Sequence, residues 1–445
     1  MTACLVLLAL AQTDGGVSTE ALQKRLDAQD ELINELKLKL EETSAQVRSL
    51  DVRLTGRERF HVEVGGYVDL GFFWVQGNGS GVRRDLDHQS TRSDTILPTW
   101  VLLGDPLSTT INSRGDAADL TDSRAVRFDA IHSQGRPTFM VNNVNLSLKA
   151  SVDDRWFLTA LVDFLPRERL FGGGGSVGDF IDVKMASLRY EQQFSWGTLT
   201  VNAGKFDSLL GLEYRTQEAP QRLTVTPSLI CRYTCGRPLG LKARVDLLDS
   251  RLEIGAAITN GSSELETFPF SNETDFNFFK SVSGRIVGRF PVLDGLEVVL
   301  NAAGGAQDRQ RDDSVFQWHV GGGLRLDWGR VSFQGEYVMG RAVGKDQGAV
   351  SCGLAPCIFY KGAYGLVGVR VAWYFVPYVR VDWREARLRG GTDYAYDSNV
   401  LRATAGLRFE PNSRIAVKAE YTFNRELAFF DFPDDVFTTS FVVSY

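Results

Sequence analysis

Lysine and arginine recur on one parity of short alternating segments along the chain. In VRVDWREAR, Arg380, Asp382 and Arg384 alternate with Val379 and other apolar residues. Guanidinium and ammonium groups on such a face attract anions, and they also pair with nearby carboxylates. The cations of this polar parity are Lys184, Lys242, Arg244, Arg285, Arg289, Arg325, Arg370, Arg380, Arg384, Arg402, Arg408 and Lys418. The acids of the same parity are Glu63, Asp69, Asp163, Asp182, Asp246, Glu253, Asp327, Glu336, Asp382 and Glu420.

Arginine is concentrated on this parity between residues 370 and 408, where Asp382 is almost the only acid. A stripe of arginine along a water-filled passage favours anions. The same arginines would have a second role if they paired with acids on adjacent strands and only held the wall. Both interpretations fit the sequence, and we expect at most a weak anion preference.

Enzymatic chemistry has little support in the sequence. The four histidines, His61, His88, His132 and His319, are far apart and share no metal-binding spacing. We find no nucleophile elbow, phosphate-binding loop or metal-ligand motif. The sequence therefore predicts no enzymatic activity, no cofactor and no bound metal.

Four cysteines follow the first residues in two close pairs, Cys231 with Cys235 and Cys352 with Cys357. Both pairs fall in predicted extracellular loops, where thiols oxidise. Pairing within each loop is the simplest arrangement, although four cysteines allow three connectivities. Neither pair has the Cys-x₂-Cys spacing of a structural zinc site.

The elements that carry these residues are predicted to be strands. In FHVEVGGYVDLGFFWV, residues 60–75, apolar residues such as Val62 and Leu70 share one parity, and polar residues such as Glu63 and Asp69 share the other. Strict alternation is typical of a strand with one apolar and one polar face. Sixteen segments have this pattern: 60–75, 139–150, 155–164, 180–191, 197–206, 239–248, 251–260, 278–290, 296–306, 315–328, 330–340, 363–375, 378–388, 400–409, 415–423 and 436–445.

The connections between these segments alternate between short and long. The short ones are 152–154, 195–196, 249–250, 291–295, 329, 376–377 and 410–413. The long ones are 76–138, 166–179, 207–237, 262–276, 307–314, 342–361, 390–398 and 425–435. Tight turns at one end and long loops at the other are typical of a transmembrane antiparallel β-barrel. We therefore predict an all-β barrel of about sixteen strands over residues 59–445, with its apolar face toward lipid and its polar face toward a lumen.

The N-terminal residues are predicted to be of a different kind. Residues 1–17 contain an apolar run that ends in Ala9-Leu10-Ala11 and predict a signal peptide, although no lysine or arginine precedes the run. Residues 18–58 predict a helical coiled-coil stem, because apolar residues recur there at heptad spacing. Its core positions are Leu22, Leu26, Ile33, Leu36, Leu40, Val47, Leu50 and Leu54. The heptads favour association without fixing its order, and we predict a homotrimer.

The layout resembles Gram-negative outer-membrane porins with an N-terminal coiled-coil stem, such as the phosphate-selective porin O/P superfamily and the OmpL-like porins. The stretch Gly204 to Glu213, GKFDSLLGLE, is similar to the family's strand-to-loop junction, with Leu209 and Leu210 in place of the usual Pro-Phe. The C-terminal strand ends in Tyr445, where bacterial barrels usually end in phenylalanine. The resemblance implies a trimeric channel for small hydrophilic solutes, with the stem in the periplasm.

Phosphate selectivity does not follow from the resemblance. In the phosphate channels that this layout resembles, arginines line the path and the fifth loop carries a lysine cluster. The corresponding loop here, AQDRQRDDSV, has Arg309 and Arg311 beside three aspartates and no lysine. Two segments, 76–138 and 205–240, are long enough to fold inward and narrow a channel. Their candidate solute contacts are Arg114, Arg124, Arg215, Arg222 and Arg232.

Two functions therefore fit the sequence. The first is a porin in the Gram-negative outer membrane, with small hydrophilic solutes, anions among them, as its cargo. The second is a structural or adhesive barrel, in which the stem tethers the envelope, by contact with peptidoglycan for example, and the loops bind outside partners. A net charge of −6 gives no reason to expect nucleic acid as a partner.

Overall fold

Sixteen antiparallel strands close into one barrel, in which each strand pairs with its sequence neighbours and β16 pairs with β1. The computed structural model describes residues 61–75, 137–164, 181–216, 218–260, 280–290, 295–306, 316–343, 356–372, 374–390, 393–427 and 435–445. The strands are β1 (His61–Val75), β2 (Thr138–Ser151), β3 (Trp156–Phe164), β4 (Ile181–Phe194), β5 (Gly197–Lys205), β6 (Leu239–Leu247), β7 (Leu252–Thr259), β8 (Ser281–Phe290), β9 (Leu296–Ala306), β10 (Phe316–Trp328), β11 (Val331–Val343), β12 (Pro356–Val369), β13 (Phe375–Gly390), β14 (Asp393–Asn412), β15 (Ile415–Glu426) and β16 (Val436–Ser444). The predicted all-β barrel and its strand number are confirmed.

Several predictions fall outside the described residues. These are the signal peptide (1–17), the coiled-coil stem (18–58), most of the first long loop with Arg114 and Arg124, and Cys352 with its pairing to Cys357. They stay predictions. Among the residues that are described, none belongs to a helix long and apolar enough to cross a membrane.

The two faces of the wall divide as the alternation predicts. On β1, Val62, Val64 and Leu70 are exposed on the outside, whereas Tyr67 and Asp69 are buried on the inside. An apolar exterior around a polar interior reverses the usual arrangement of a soluble protein, and it is typical of a barrel embedded in lipid.

The two ends of the barrel differ in their connections. The short-turn end has the connections 152–155, 195–196, 248–251, 291–295, 329–330, 370–374 and 413–414; the long-loop end has all the others. Exposed aromatic side chains mark both rims, as expected for a membrane barrel. Those at the long-loop rim include Trp74, Phe139, Phe164 and Phe316, and those at the short-turn rim include Trp196, Phe290, Trp328 and Tyr374.

The largest departures from the predicted boundaries lie between β12 and β14. β12 spans Pro356–Val369 rather than 363–375, so residues 376–377 belong to β13 instead of a turn, and Cys357 lies on a strand. The long connection predicted at 390–398 is wrong, because β14 begins at Asp393 and only 391–392 separate it from β13. β13 and β14 are 16 and 20 residues long, more than a membrane requires. Outside the lipid neither face of a strand must be apolar, so the alternation fades.

Candidate functional site: a loop inside the barrel

The connection between β5 and β6, residues 206–238, turns into the barrel instead of away from it; we call it the lumen loop. Leu210, Leu229, Ile230 and Cys231 on it are fully buried. It belongs to the segment 205–240, one of the two expected to fold inward. Its contacts reach wall residues from β1 to β15, so it crosses the lumen from one side to the other.

The first part of the lumen loop packs through leucines against small wall residues. Leu209 lies against Ala257 on β7, and Leu212 lies against Val287 and Val299 on β8 and β9. Wall glycines give the leucines room: a Cβ added to Gly323 on β10 would lie 2.8 Å from a methyl of Leu212. The family-like stretch GKFDSLLGLE is thus the point where the chain leaves the wall and enters the lumen.

A tight reversal follows at Gly211, whose φ of +72° is in the left-handed region that favours glycine. The next amide, that of Leu212, donates to Oε2 of Glu336 on β11 at 3.1 Å. Glu213 then accepts hydrogen bonds from the backbone N–H of Ser228, at 2.9 Å, and from its hydroxyl. Burial raises the pKa of Glu213, although Arg380 and the bonds from Ser228 oppose this. Glu213 therefore ties the two arms of the lumen loop together.

Cys231 and Cys235 are joined by a disulfide inside the lumen rather than at an exposed loop tip, with their Cα atoms 4.9 Å apart. They flank the short helix Cys231–Thr234. A carboxylate oxygen of Glu213 and the two sulfur atoms lie within 4.8 Å of one another, which is close enough to share a metal ion. Bonded to each other, however, these sulfurs are not the thiolates that zinc binds.

Glu218 is the centre of a buried ionic cluster at the opposite side of the lumen. It accepts a hydrogen bond from the hydroxyl of Tyr67 on β1 at 2.6 Å, and it pairs with Lys184 on β4 at 3.0 Å and with Arg237 at 2.6 Å. Burial alone would raise the pKa of Glu218, but Lys184 and Arg237 outweigh it and lower the pKa to about 2. The next residue, Ala219, packs with Tyr67 and with apolar residues of β15 and β16. The lumen loop is thereby fixed beneath the junction of β1 and β16.

The following residues, 219–227, lie with their backbone carbonyls against cations of β13–β15. The ammonium of Lys418 donates to the carbonyl oxygens of Ala219 at 2.8 Å and of Arg222 and Thr224 at 3.2 Å. Arg408 donates to carbonyl oxygens of the same stretch. Arg380 donates to the carbonyl oxygens of Thr226, at 2.6 Å, and Pro227, at 2.9 Å.

Two acids, Glu420 and Asp382, complete the attachment of the lumen loop to β13–β15. The carboxylate of Glu420 on β15 accepts the backbone N–H groups of Val225 and Thr226, each at 2.8 Å, and the hydroxyl of Tyr378. Asp382 pairs with Arg380 at 2.8 Å and accepts the N–H of Leu229. The wall therefore binds mainly the backbone of the lumen loop, through donors for its carbonyls and acceptors for its amides.

The cations predicted to line a channel all lie on the lumen side or at its rim, but they fall into two groups. The buried group is Lys184, Arg285, Arg380, Arg384, Arg402, Arg408 and Lys418. The group that reaches solvent at least in part is Lys242, Arg244, Arg289, Arg325 and Arg370. Most of the arginine stripe 370–408 thus lies beneath the lumen loop, as an attachment for its backbone.

The arginines of the second group form ion pairs within the wall, whereas Lys242 donates to the carbonyl oxygen of Asp207 on the lumen loop at 2.8 Å. Arg325 pairs with Asp327 at 2.9 Å, and Arg289 pairs with Glu253 at 2.7 Å. Arg244 pairs with Asp246 at 3.1 Å. A cavity of about 120 Å³ lies between the lumen loop and β10–β13, with Arg222, Arg325 and Asp327 among its lining residues. Arg325 and Asp327 lie three residues and one residue before the end of β10, so this cavity lies toward the short-turn end.

Of the loop arginines proposed as solute contacts, Arg215 and Arg222 have described side chains. Arg215 pairs with Glu297 on β9 at 2.7 Å, and Arg222 is buried with its Nε donating to the carbonyl of Thr224. The Arg232 side chain lies outside the described residues. Glu218 was not predicted as a site residue, because a single acid in a polar loop belongs to no sequence pattern that indicates its partners.

Comparison with solved structures shows the fold. The chain is similar to OmpT, an outer membrane protein of Vibrio cholerae, with a TM-score of 0.50 at 10% identity over 87% of this chain and 98% of that one. It is similar to the same degree, 0.50 at 10% identity, to Salmonella typhi OmpF in complex with daunomycin, over 86% of this chain and 97% of that one. No protein-family model and no curated protein sequence matches the chain. The architecture is that of a porin-like barrel, whereas membership of the phosphate-selective or OmpL-like families stays a prediction.

Proposed function

We propose that this chain is an outer-membrane porin whose lumen loop forms the constriction of a channel for small hydrophilic solutes. The observation that carries the proposal is the lumen loop itself, anchored across a sixteen-stranded barrel that is apolar outside and polar inside. The fold shared with OmpT and OmpF, two outer-membrane barrels, supports the same placement. A passive channel catalyses no reaction, so the predicted absence of enzymatic activity is part of this proposal.

A weak anion preference is part of the proposal. In three wall ion pairs near the short-turn end the cation reaches solvent more than the acid does, whereas in the pair of Arg325 with Asp327 both are exposed to nearly the same degree. The exposed side-chain fractions are 42% for Arg244 against 13% for Asp246, 34% for Arg289 against 5% for Glu253, and 52% for Arg370 against 27% for Glu410. Exposed charge acts on a passing ion more strongly than buried, paired charge does. The solvent-exposed part of the lumen wall therefore favours the passage of anions.

The proposed orientation places the short-turn end in the periplasm. His61 and Tyr445 both lie at that end, so a stem formed by residues 18–58 would enter the periplasm. There it would hold three protomers in register and reach the peptidoglycan, while the long loops face outward. The predicted signal peptide fits export to this compartment.

A structural or adhesive barrel is the second candidate, and one observation favours it. Seven of the twelve cations predicted to line a channel are buried, and Arg380, Arg408 and Lys418 among them are bonded to the lumen loop. A lumen filled by a well-bonded loop conducts poorly.

Conductance in a planar bilayer separates the two candidates. The test compares the purified wild-type protein with a variant in which residues 213–234 are replaced by a short Gly-Ser linker. We expect discrete conductance steps from the wild type, larger steps from the variant, and a reversal potential on the anion side in a salt gradient. A silent wild type with a conducting variant would favour the structural barrel. Silence from both, when both are folded, would reject the porin.

A further inference from the structure

A part of the lumen wall near the short-turn end is not covered by the lumen loop. Phe157 is the second residue of β3, and Arg189 lies five residues before the end of β4; both of these strand ends meet short turns. Among the described residues, the lumen loop makes no hydrogen bond, ion pair or ring contact with either side chain. The Arg189 side chain is 43% exposed. Solvent in the lumen therefore reaches this part of the wall.

Phe157 and Arg189 face the lumen rather than the lipid. They are direct cross-strand partners, and Ser187, two residues before Arg189, is buried on the inside. The next residues of the other parity, Leu158 and Leu188, are each 40% exposed on the outside. Because successive side chains of a strand point to opposite faces, the pair of Phe157 with Arg189 lies on the inner surface.

The phenyl ring is an exception on the polar face of this barrel. Among the described side chains of the wall, Phe157 is the only phenylalanine of the lumen parity. The tyrosines of that parity with described side chains are all buried, and they are Tyr67, Tyr360, Tyr364 and Tyr378. Phe157 is half-buried, so part of its ring meets the lumen solvent. An apolar ring in this position offers contact area to the apolar part of a passing solute.

The guanidinium of Arg189 is stacked on this ring. Its Cζ lies 4.4 Å from the ring centroid of Phe157, within the range of a cation–π contact. It pairs loosely with Glu191, at 3.9 Å from Nε, whereas Arg289 and Arg325 lie 2.7 and 2.9 Å from their acids. No hydrogen bond among the described residues uses the Nη groups of Arg189. Stacking fixes the plane of the guanidinium, and the Nη groups remain as donors for a solute.

We propose that Phe157 and Arg189 form the solute-selective contact of the channel, and that this contact binds small carboxylates with an apolar group, such as aromatic carboxylates. The carboxylate accepts hydrogen bonds from the planar guanidinium, a geometry that arginine favours. The apolar group lies against the exposed part of the Phe157 ring. Asn202, the cross-strand partner of Arg189 on β5, is a further donor beside the carboxylate. The inference rests on the proposed channel and narrows its anion preference to one class of solute.

The charges around the site favour a carboxylate over phosphate. Glu191 follows Arg189 by two residues on the same face of β4 and is 32% exposed, so the pair carries little net charge. Repulsion by Glu191 is larger for a doubly charged anion than for a singly charged one. Inorganic phosphate also has no apolar part and gains nothing from Phe157. A singly charged carboxylate with an apolar group matches both residues.

The test measures binding of para-fluorobenzoate to the full-length protein in mild detergent, with fluorine NMR as the readout. We expect Arg189→Gln to weaken binding by about tenfold or more, because it removes a charge-assisted hydrogen bond. Phe157→Leu should weaken binding by about threefold, since leucine is apolar but cannot stack with the guanidinium. Arg189→Lys should give an intermediate affinity, because lysine keeps the charge without the planar fork. The uncharged para-fluorobenzyl alcohol should bind about tenfold more weakly than para-fluorobenzoate.

The matched control is Arg325→Gln, which removes a cation on β10 that is exposed to nearly the same degree, 44%. It should bind para-fluorobenzoate like the wild type. Unchanged binding in Arg189→Gln would overturn the proposal, as would equal weakening in Arg325→Gln or equal binding of the alcohol. Phosphate that displaces the probe as effectively as benzoate does would reject carboxylates as the class of solute.

Binding is measured without ion flow, so the test separates this inference from the proposed function. A wild type that is silent in the bilayer but binds the probe through Arg189 would support the binding site and reject its role in a channel. A wild type that conducts, with the same affinity for the probe as Arg189→Gln, would reject the site and leave the porin intact.

Discussion

The lumen wall has two sectors that carry the same residue types on the same parity and use them differently. On β13–β15, Arg380, Arg408 and Lys418 are buried and donate to backbone carbonyls of the lumen loop. On β6–β10, Arg244 and Arg325 pair with acids two residues away on their own strand and reach solvent. Coverage by the lumen loop, and not residue type or parity, separates an attachment point from a channel-lining charge.

The two sectors should also differ in how much stability is lost when a charged residue is removed. A buried guanidinium loses its hydration and regains bonding only from the carbonyls and acids around it, so removal of either partner leaves a buried group unsatisfied. When an exposed ion pair loses one partner, water replaces the lost hydrogen bond at little cost in free energy. Substitutions in the two sectors should therefore differ strongly in their effects.

The largest effect is expected from Arg380→Ala. The change removes the donors to Thr226 and Pro227 and leaves Asp382 buried without its guanidinium, for a loss of about 3–5 kcal/mol. Limited proteolysis within the lumen loop and larger conductance steps should report its release. Arg325→Ala, in the exposed sector, is the control and should leave both unchanged. Equal protease resistance of the two variants would contradict the distinction between the sectors.

Glu218→Gln should have the next largest effect and should change the response to acid. The folded pKa of Glu218, about 2, lies below its ordinary value of 4.5. Its carboxylate therefore stabilises the fold fully above about pH 5, and this contribution of about 3 kcal/mol at most disappears as the pH falls to about 2. Denaturant titrations between pH 7 and pH 2 should show a flatter pH dependence for the variant. A slope equal to that of the wild type would exclude Glu218 as the acid-sensitive contact.

Removing the disulfide by Cys231→Ser with Cys235→Ser should have an intermediate effect. A ring of five residues restricts the unfolded chain by about 2 kcal/mol in the chain-entropy description. The comparison of unfolding with and without reductant measures this for the wild type, and the variant should not respond to reductant. A wild type with the same stability in both conditions would show that the disulfide does not stabilise the lumen loop.

The smallest effect on stability is expected in the exposed sector, from Arg244→Gln, Arg289→Gln and Arg370→Gln combined. Exposed ion pairs contribute about 0.2–1 kcal/mol each, so the barrel should stay folded. The reversal potential in a salt gradient should nevertheless move from the anion side toward zero. An unchanged reversal potential would place ion selectivity elsewhere, for example at Arg215 or Arg222.

The barrel could be predicted because lipid and lumen impose alternation on every spanning strand. The prediction failed at 390–398 because the alternation constraint ends where the strands leave the apolar band, and DYAYDSNV there looks like a loop. The start of β12 was also predicted too late, at residue 363 instead of Pro356.

The site could be predicted only in part. Parity placed the cations inside, and length marked 205–240 as able to fold inward. The contacts between them join residues far apart in sequence, such as Lys418 with Ala219, and mostly involve backbone atoms, which leave no trace in side-chain pattern. Whether a wall arginine is wet or covered depends on the route of the loop and cannot be derived from the strand that carries it.

The position of Ala219 and Glu218 beneath the junction of β1 and β16 has a consequence for assembly. These two strands come from opposite ends of the barrel sequence and pair when the cylinder closes. Since Tyr67 on β1 contacts Glu218 and the same segment contacts Lys418 on β15, the lumen loop bridges the closing seam from within. These contacts stabilise the closed ring from within, so weakening them should also weaken the pairing of β1 with β16.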